Sequence, residues 1–284
     1  MKISVLGCGE VGLSYAKGLA GAGHEILCCD PKPRQAAHDF CATTGTALHG
    51  SFGPWLGQSD VVLSCVIGSL SLSVARSVMP MMREGSLFID MTTCDPDDIR
   101  VAADEAQERG LAYADVAIMG AIALSGLATN LLVAGTGAHR ARHLFSAIQA
   151  PIRVLEGGAA GDAAAIKILR SVFTKGLEAI AVECFVAAEN QGLTDRLYEA
   201  MADVDQTPLR DLLEALVRTH VIHAPRRLKE VEEAERQLHK AELPVDVLPG
   251  VRARFERTCR ALSVNPIATP DLSTAEAFAW LRRA

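Results

Sequence analysis

The amino-acid sequence predicts a doubly wound α/β domain followed by an all-α domain. From the N-terminus, short apolar β-type runs alternate with helical patterns, beginning with KISVLG. The strand signal ends after VLEGGAAG, and the remaining ~125 residues have helical periodicity almost throughout. We therefore expect one domain over residues 1–157 and a second over residues 158–284.

The first domain begins with a βαβ unit. KISVLG is followed by a helical pattern over residues 11–22, then by the strand HEILCCD and a helix over residues 33–43. The alternation then continues through DVVLSCV, a helix over residues 69–82, SLFIDM, a helix opening at DPDDIR, LAYADVAIM, NLLVAG, a helix over AHRARHLFSAIQ, and IRVL. Asp95 before Pro96 predicts an N-cap for the DPDDIR helix, and Gly110 predicts its end. Strands this apolar predict a sheet covered by helices on both faces.

The second domain opens with an unusually long helical pattern. Asp162 is a suitable N-cap, and the pattern runs to about Gln191, which corresponds to ~45 Å of helix. Further along, HAPRRLKEVEEAERQLHK alternates charges of both signs, which is typical of a solvated helix face with i,i+4 ion pairs.

Composition excludes several classes of function. The net charge is −6 without any basic block, so we do not expect a nucleic-acid partner. No apolar stretch approaches the ~20 residues of a membrane span, and the N-terminus has no signal-peptide pattern, so we expect a cytoplasmic protein. The eight cysteines are scattered, which predicts reduced thiols and no metal site. His220 and His223 have no third ligand nearby in sequence, and they do not change that expectation.

A glycine-rich loop links the first strand to the first helix. Gly7, Gly9 and Gly12 have the G-x-G-x-x-G spacing of a Rossmann dinucleotide site. In such a loop the first glycine permits the tight turn, the second admits the pyrophosphate, and the third lets the helix pack against the strand. We therefore expect cofactor contacts from the whole loop, namely Gly7, Cys8, Gly9, Glu10, Val11 and Gly12.

The end of the second strand bears on the choice of cofactor. Asp30 lies ~20 residues beyond the loop, where a carboxylate binds the adenosine ribose hydroxyls. That carboxylate repels a 2′-phosphate, whereas Lys32 and Arg34 would attract one. The cofactor is therefore expected to be NAD or NADP, with NAD favoured.

A thin polar stripe on the long helix contains a lysine. At 100° per residue, one narrow arc holds Lys167, Ser171, Thr174, Lys175 and Glu178, and apolar residues occupy the rest. One interpretation is the solvated edge of an amphipathic helix. The other is a helix lining a cleft, because the apolar arc is too wide for a surface helix and the flank GGAAGDAAA permits close approach. In a cleft, a lysine can exchange a proton with a substrate oxygen.

These segments together resemble the β-hydroxyacid dehydrogenase superfamily, which includes 3-hydroxyisobutyrate and 6-phosphogluconate dehydrogenases. GCGEVG resembles the cofactor loop of that family, and FIDMTTCDPDDIR resembles its D-x-S-T-x-x-P segment, at Thr92 and Thr93. GGAAGDAAAIKILRS resembles its lysine helix, at Gly158, Gly161 and Lys167. The C-terminal half resembles the branch with a phosphogluconate-dehydrogenase-like helical domain of undefined substrate.

The resemblance implies roles for particular residues. It implies that Lys167 is the general acid/base, and we add Ser171 and Lys175 as further catalytic candidates. In this interpretation the residues flanking the nicotinamide are Val66, Ile67 and Thr92. The expected substrate-binding residues are Thr93, Met119, Gly120 and Ala121.

Two departures from the family pattern concern the substrate. The D-x-P-V-S-G-G segment appears as DVAIMGA, with Met119 where a hydroxyl usually helps to bind a carboxylate. Ser171 replaces the asparagine four residues after the lysine. Lys175 could supply the charge that Met119 does not help to bind, or form a salt bridge to Glu178.

We therefore expect an NAD(P)-dependent oxidoreductase acting on a small hydroxy acid or a related hydroxyl or carbonyl compound. The alternatives are a decarboxylating sugar-acid dehydrogenase, an imine reductase, and a non-catalytic dinucleotide-binding protein. The long apolar helix further predicts a homodimer through the helical half.

Overall fold

The structure is a computed structural model that describes residues 1–267 and 271–284. Within these residues it contains eight strands and twelve α-helices. The strands are β1 (Lys2–Leu6), β2 (Glu25–Cys29), β3 (Ala47–His49), β4 (Val61–Ser64), β5 (Leu87–Asp90), β6 (Ala112–Ile118), β7 (Leu131–Ala134) and β8 (Ile152–Val154). The helices are α1 (Glu10–Gly21), α2 (Gln35–Thr44), α3 (Ser71–Val78), α4 (Pro96–Glu108), α5 (Ile122–Ser125), α6 (Ala138–Ser146), α7 (Asp162–Asn190), α8 (Thr194–Ala200), α9 (Ala202–Gln206), α10 (Leu209–Lys240), α11 (Leu248–Val264) and α12 (Thr274–Leu281).

The chain divides into two compact units, Met1–Val172 and Phe173–Ala284. The first holds the sheet and the second is helical, so the predicted fold class is confirmed. The domain boundary expected after residue 157 stays a prediction, because a division by contacts does not by itself define a folding domain.

The sheet of the first unit has the order β3-β2-β1-β4-β5-β6-β7-β8. The strands pair in parallel except β6 and β7, which are antiparallel. The helix between these two strands, α5, has four residues and spans only ~6 Å, whereas the seven-residue β6 spans ~23 Å. The connection therefore does not return to the other end of the sheet, and β7 starts where β6 ends.

Both faces of the sheet are covered, as the apolar strands predict. Ile3 and Val5 of β1 belong to the core cluster that includes Tyr15 and Phe145. Neighbouring Leu6 belongs to the cluster on the other face. This alternation follows from the period of two along a strand, and it buries the central strands on both sides.

Local signals explain where helices begin and end. Asp95 caps α4 by accepting a hydrogen bond from the Asp97 amide at 2.9 Å, and Gly110 follows the helix with φ +65°. The helix expected over residues 69–82 is shorter in the structure, where α3 is flanked by 3₁₀ turns at Gly68–Leu70 and Met79–Met81. Pro80 lies in the second turn and has no amide hydrogen to continue an α-helix.

The second unit has a small core between α10, α11 and α12. Val221, Ala277 and Trp280 are buried there, and the Trp280 indole donates to the Asn265 carbonyl at 3.1 Å. The charge-dense part of α10 forms the expected surface pairs, such as Arg226 with Glu230 at 2.6 Å. Among the described residues, no helix combines the length and the apolar character that crossing a bilayer requires.

Candidate cofactor and proton-transfer site

The candidate site lies where parallel strands of the first unit end. Leu6, Ser64, Asp90 and Asp115 occupy matching register positions on β1, β4, β5 and β6. Leu6, Ser64 and Asp90 are also the last residues of their strands, so the loops after β1, β4 and β5 begin at one edge of the sheet, whereas β6 continues to Ile118. In open α/β sheets, ligands bind outside the carboxyl ends of the strands.

The glycine loop has the sterics of a dinucleotide cradle. Gly7 has φ +83°, and a Cβ on it would lie 2.8 Å from the Cys65 carbonyl oxygen. A Cβ on Gly12 would lie 1.9 Å from the Gly7 carbonyl oxygen. At Gly9, by contrast, no heavy atom of the described residues lies within 4 Å of a Cβ. The first and third glycines are therefore required by packing, and the second leaves open space for a pyrophosphate beside the helix N-terminus.

The first turn of α1 supplies the donors that such an anion needs. Glu10 begins this helix, and the first amides of a helix have no acceptor within it. The residues present therefore fit a dinucleotide.

Asp30 is held beside this loop by two backbone donors. One carboxylate oxygen accepts from the Cys8 amide and the other from the Lys32 amide, both at 2.8 Å. Each oxygen retains a further lone pair, so the fixed carboxylate can still accept a hydrogen bond from a ribose hydroxyl. Lys32 and Arg34 are exposed beyond it.

The loops after β4 and β5 are in contact with each other. A Cβ on Gly68 would lie 2.5 Å from the Thr93 carbonyl oxygen, so this glycine permits the close approach. Ile67, directly before it, is 66% exposed, and Val66 is half-buried. An isoleucine exposed beside a dinucleotide loop is available to cover an apolar part of a ligand.

Lys167 points toward this same edge of the sheet. Its Nζ donates to Thr93 Oγ1 at 2.7 Å, although the two residues are 74 positions apart in the chain. The lysine is half-buried, and burial of the ammonium lowers the pKa of Lys167 below its ordinary value. Gly161 allows this approach, because a Cβ there would lie 2.7 Å from the Pro96 carbonyl oxygen.

The other candidate residues differ in their exposure and in their contacts. Ser171 is exposed on α7, and Lys175, also exposed, pairs with Glu178 at 2.5 Å. Met119 packs against a small cluster that includes Ala163. Thr92 is buried, whereas Gly120 and Ala121 are exposed in the loop after β6.

Two buried carboxylates beneath the site were missed by the sequence reasoning. Asp90 accepts from the Thr92 amide at 2.8 Å, from the Tyr113 hydroxyl at 3.0 Å, and from the Ser71 hydroxyl. Burial, reinforced by Asp90, raises the pKa of Tyr113 well above its ordinary value, so the phenol stays protonated and donates. Asp115 accepts from the backbone at the start of α7. The available signal was an acid inside an apolar strand, in FIDM and YADV.

Among the described residues, no group of three or more His, Cys, Asp or Glu side chains has an arrangement suited to a metal ion. His220 contacts the Thr258 hydroxyl at 2.8 Å through Nε2.

Comparison with known families decides the identity of the first unit. Residues 2–175 match the NAD binding domain of 6-phosphogluconate dehydrogenase. The chain belongs to this family. Residues 188–258 match a domain of unknown function, DUF1932. The resemblance to β-hydroxyacid dehydrogenases is thus confirmed, as is the branch with a phosphogluconate-dehydrogenase-like helical C-terminal domain.

Individual relatives agree with this assignment. A probable 3-hydroxyisobutyrate dehydrogenase of Mycobacterium bovis is 28% identical over 68% of this chain and 65% of its own length, slightly less than two thirds. A conserved protein of unknown function, described as structurally similar to 3-hydroxyacid dehydrogenases, has a TM-score of 0.65 and 25% identity, covering 94% of this chain and all of its own. An imine reductase variant of Myxococcus stipitatus in complex with NAD⁺ has a TM-score of 0.76 at 16% identity, covering 99% of each chain, and shows the shared fold.

The family and its named relatives confirm the predicted class of enzyme. The chain is an NAD(P)-dependent oxidoreductase that uses a nicotinamide cofactor.

Proposed function

We propose that the protein transfers hydride between nicotinamide and a small hydroxy acid, or a related hydroxyl or carbonyl substrate, with Lys167 as the general acid/base. The observation that supports this proposal is the 2.7 Å hydrogen bond from Lys167 Nζ to Thr93 Oγ1, at the strand edge that carries the glycine loop. A bound nicotinamide supplies or accepts the hydride, while the chain binds and orients it and moves the proton.

The proton step follows from the environment of Lys167. As hydride reaches the carbonyl carbon, the ammonium of Lys167 donates a proton to the carbonyl oxygen. In the reverse direction the neutral amine accepts the proton of the hydroxyl. The lowered pKa brings the ammonium and the neutral amine of Lys167 closer in free energy near neutral pH, which favours general acid–base catalysis. The Thr93 hydroxyl accepts a hydrogen bond from the amine and so keeps it oriented.

The remaining roles are assigned by position. Asp30 binds the adenosine ribose, and its carboxylate favours NAD over NADP. The residues proposed to surround the pyrophosphate are Gly7, Cys8, Gly9, Glu10, Val11 and Gly12. Val66, Ile67 and Thr92 flank the nicotinamide. The proposed substrate contacts are Thr93, Met119, Gly120 and Ala121, with Ser171 and Lys175 as further catalytic candidates.

Imine reduction is a second candidate. Met119 carries no hydroxyl with which to bind a substrate carboxylate, and Lys175 already has Glu178 as a partner. A less anionic substrate, such as an imine, agrees with both observations. Decarboxylation of a sugar acid is a further alternative for the same site.

The helical unit supports a proposal about assembly. Leu177, Val182 and Val186 of α7 are 54%, 61% and 48% exposed. Large apolar side chains repeated along one helix favour burial against a second copy of the chain. We therefore propose that two copies of the chain form a homodimer through the helical unit. A cytoplasmic location is proposed as well.

A substrate panel tests the proposed reaction. Nicotinamide absorbance is followed with hydroxy acids, sugar acids, aldehydes and imines, using both cofactors, and CO₂ release is measured in parallel. Oxidation of hydroxy acids without CO₂ supports the proposal. Release of CO₂ from a sugar acid, or turnover of imines alone, would contradict it in favour of the corresponding alternative. Cofactor binding without turnover of any substrate in the panel would also contradict it.

A further inference from the structure

A carboxylate lies beneath the first turn of the helix that carries Lys167. Asp115 is fully buried on β6, and its Oδ2 accepts from the backbone amides of Gly161 at 3.0 Å and Ala164 at 3.1 Å. These amides belong to the start of α7, where the amides lack acceptors within the helix. A negative charge at this end also interacts favourably with the helix dipole. Asp115 therefore fixes where α7 begins.

The lysine is one turn from these hydrogen bonds. Lys167 follows Ala164 by three residues, so a shift of the first turn moves its amine by a similar amount relative to Thr93. The turn that leads to Thr93 is held by the strand that it follows, because Asp90 at the end of β5 accepts from the Thr92 amide. Asp90 and Asp115 are register partners on β5 and β6. Two adjacent carboxylates thus hold the two segments that meet in the 2.7 Å hydrogen bond.

We infer that Asp115 is a positioning residue for Lys167: its carboxylate holds the N-terminus of α7 so that the lysine amine stays at Thr93 and the nicotinamide edge. This inference rests on the proposed function of Lys167. Asp115 acts through the helix and does not itself touch substrate or cofactor.

The burial of Asp115 supports a functional reason for this carboxylate. Its second oxygen, Oδ1, is buried and has no hydrogen-bond partner among the described residues. Burial, with a smaller contribution from nearby Asp90, raises the pKa of Asp115 from 3.8 to about 6, although the α7 amides lower it. A charge kept in such an environment destabilises the folded state at neutral pH, so fold stability alone does not account for it.

Several other charged and titratable groups surround this carboxylate. Asp90 lies on β5 and Tyr113 on β6, where the phenol stays protonated. From α4, Arg100 approaches Gly161, and its guanidinium lies 3.7 Å from Asp162 on α7. Arg100 is the cation of this set, and it forms ion pairs with Asp97 and Asp162.

Two substitutions separate the acceptor from the charge. Asp115→Ala removes both, whereas Asp115→Asn keeps the shape and one carbonyl oxygen for the α7 amides. With a substrate from the panel, we expect Asp115→Ala to lower kcat about tenfold or more while cofactor Kd stays within about threefold. Asp115→Asn should recover most of that loss. Asp104→Asn, exposed on α4, is the control and should match the wild type.

The pH profile distinguishes positioning from a purely structural role. Asparagine mimics the protonated acid, so turnover by the wild type should fall only modestly below pH 6, to the level that Asp115→Asn has at pH 7.5. Turnover by Asp115→Asn should lack this fall between pH 7.5 and pH 5. Equal kcat in Asp115→Ala and the wild type, or an unchanged acid limb in Asp115→Asn, would overturn the inference.

Amide hydrogen exchange keeps this test separate from the proposed function. Asp115→Ala should speed exchange in the peptide covering residues 161–168, in the protein without substrate, and leave the α1 peptide unchanged. If exchange behaves this way but Lys167→Ala keeps full turnover, the proposed function of Lys167 fails while the anchoring of α7 stands. If exchange over residues 161–168 is unchanged, the anchoring itself is wrong.

Discussion

Replacing Asp115 with asparagine should change how stability depends on pH. The pKa of Asp115 is about 6 in the folded chain and 3.8 in the absence of burial. Between these values the folded state binds more protons than the unfolded state, so the free energy of unfolding falls as pH rises through the window. A pKa difference of about two units corresponds to about 3 kcal/mol over the whole range. Between pH 5 and pH 7.5, the same relation gives about 1 kcal/mol.

Urea unfolding of the wild type and Asp115→Asn at these two pH values measures this contribution. The variant has no titrating group at this position. Its free energy of unfolding minus that of the wild type should therefore be about 1 kcal/mol larger at pH 7.5 than at pH 5, so the variant is relatively more stable at pH 7.5. Asp104→Asn should keep the wild-type difference between the two pH values. A constant offset between Asp115→Asn and the wild type at both pH values would refute the reasoning that burial destabilises this carboxylate.

Four further predictions concern the glycine loop, the choice of cofactor and the assembly. Gly9→Ala should fold normally and weaken cofactor binding about tenfold or more, because the added methyl group fills only the space left for the pyrophosphate; equal cofactor affinity in titrations would contradict this. Gly12→Ala should lower Tm by about 3–10 °C, since its methyl group would lie 1.9 Å from a carbonyl oxygen, whereas Gly21→Ala, which has open space, should not. Asp30→Ala should raise the kcat/KM for NADP relative to NAD, and an unchanged ratio would remove Asp30 from cofactor selection. Sedimentation velocity at micromolar concentration should show a dimer that Leu177→Glu converts to monomer; a wild-type monomer would exclude the proposed assembly.

Local patterns were sufficient to predict the cofactor loop and the lysine helix. The G-x-G-x-x-G spacing constrains a strand, a turn and a helix that are adjacent in the chain, and the structure has Gly7 in the left-handed region that such a turn requires. The helix expected over residues 162–191 is Asp162–Asn190 in the structure, and the local signal at its end is Gly192, which has φ +65°.

The support beneath the site was not predictable in the same way. Asp90 and Asp115 become neighbours only through the pairing of β5 with β6, and the hydrogen bond between Lys167 and Thr93 joins residues 74 positions apart. Periodicity describes one element at a time and does not give strand register. The reversal of β7 likewise depends on the length of the connection before it, which no strand pattern encodes.

A single-turnover measurement of hydride transfer tests the role of Lys167 most directly. With saturating cofactor and an active substrate from the panel, Lys167→Ala should slow the transfer by about 10² or more, with cofactor Kd within about threefold of the wild type. Lys229→Ala, exposed on α10, serves as the matched control and should react at the wild-type rate. Hydride transfer by Lys167→Ala at the wild-type rate would show that its amine moves no proton in this reaction.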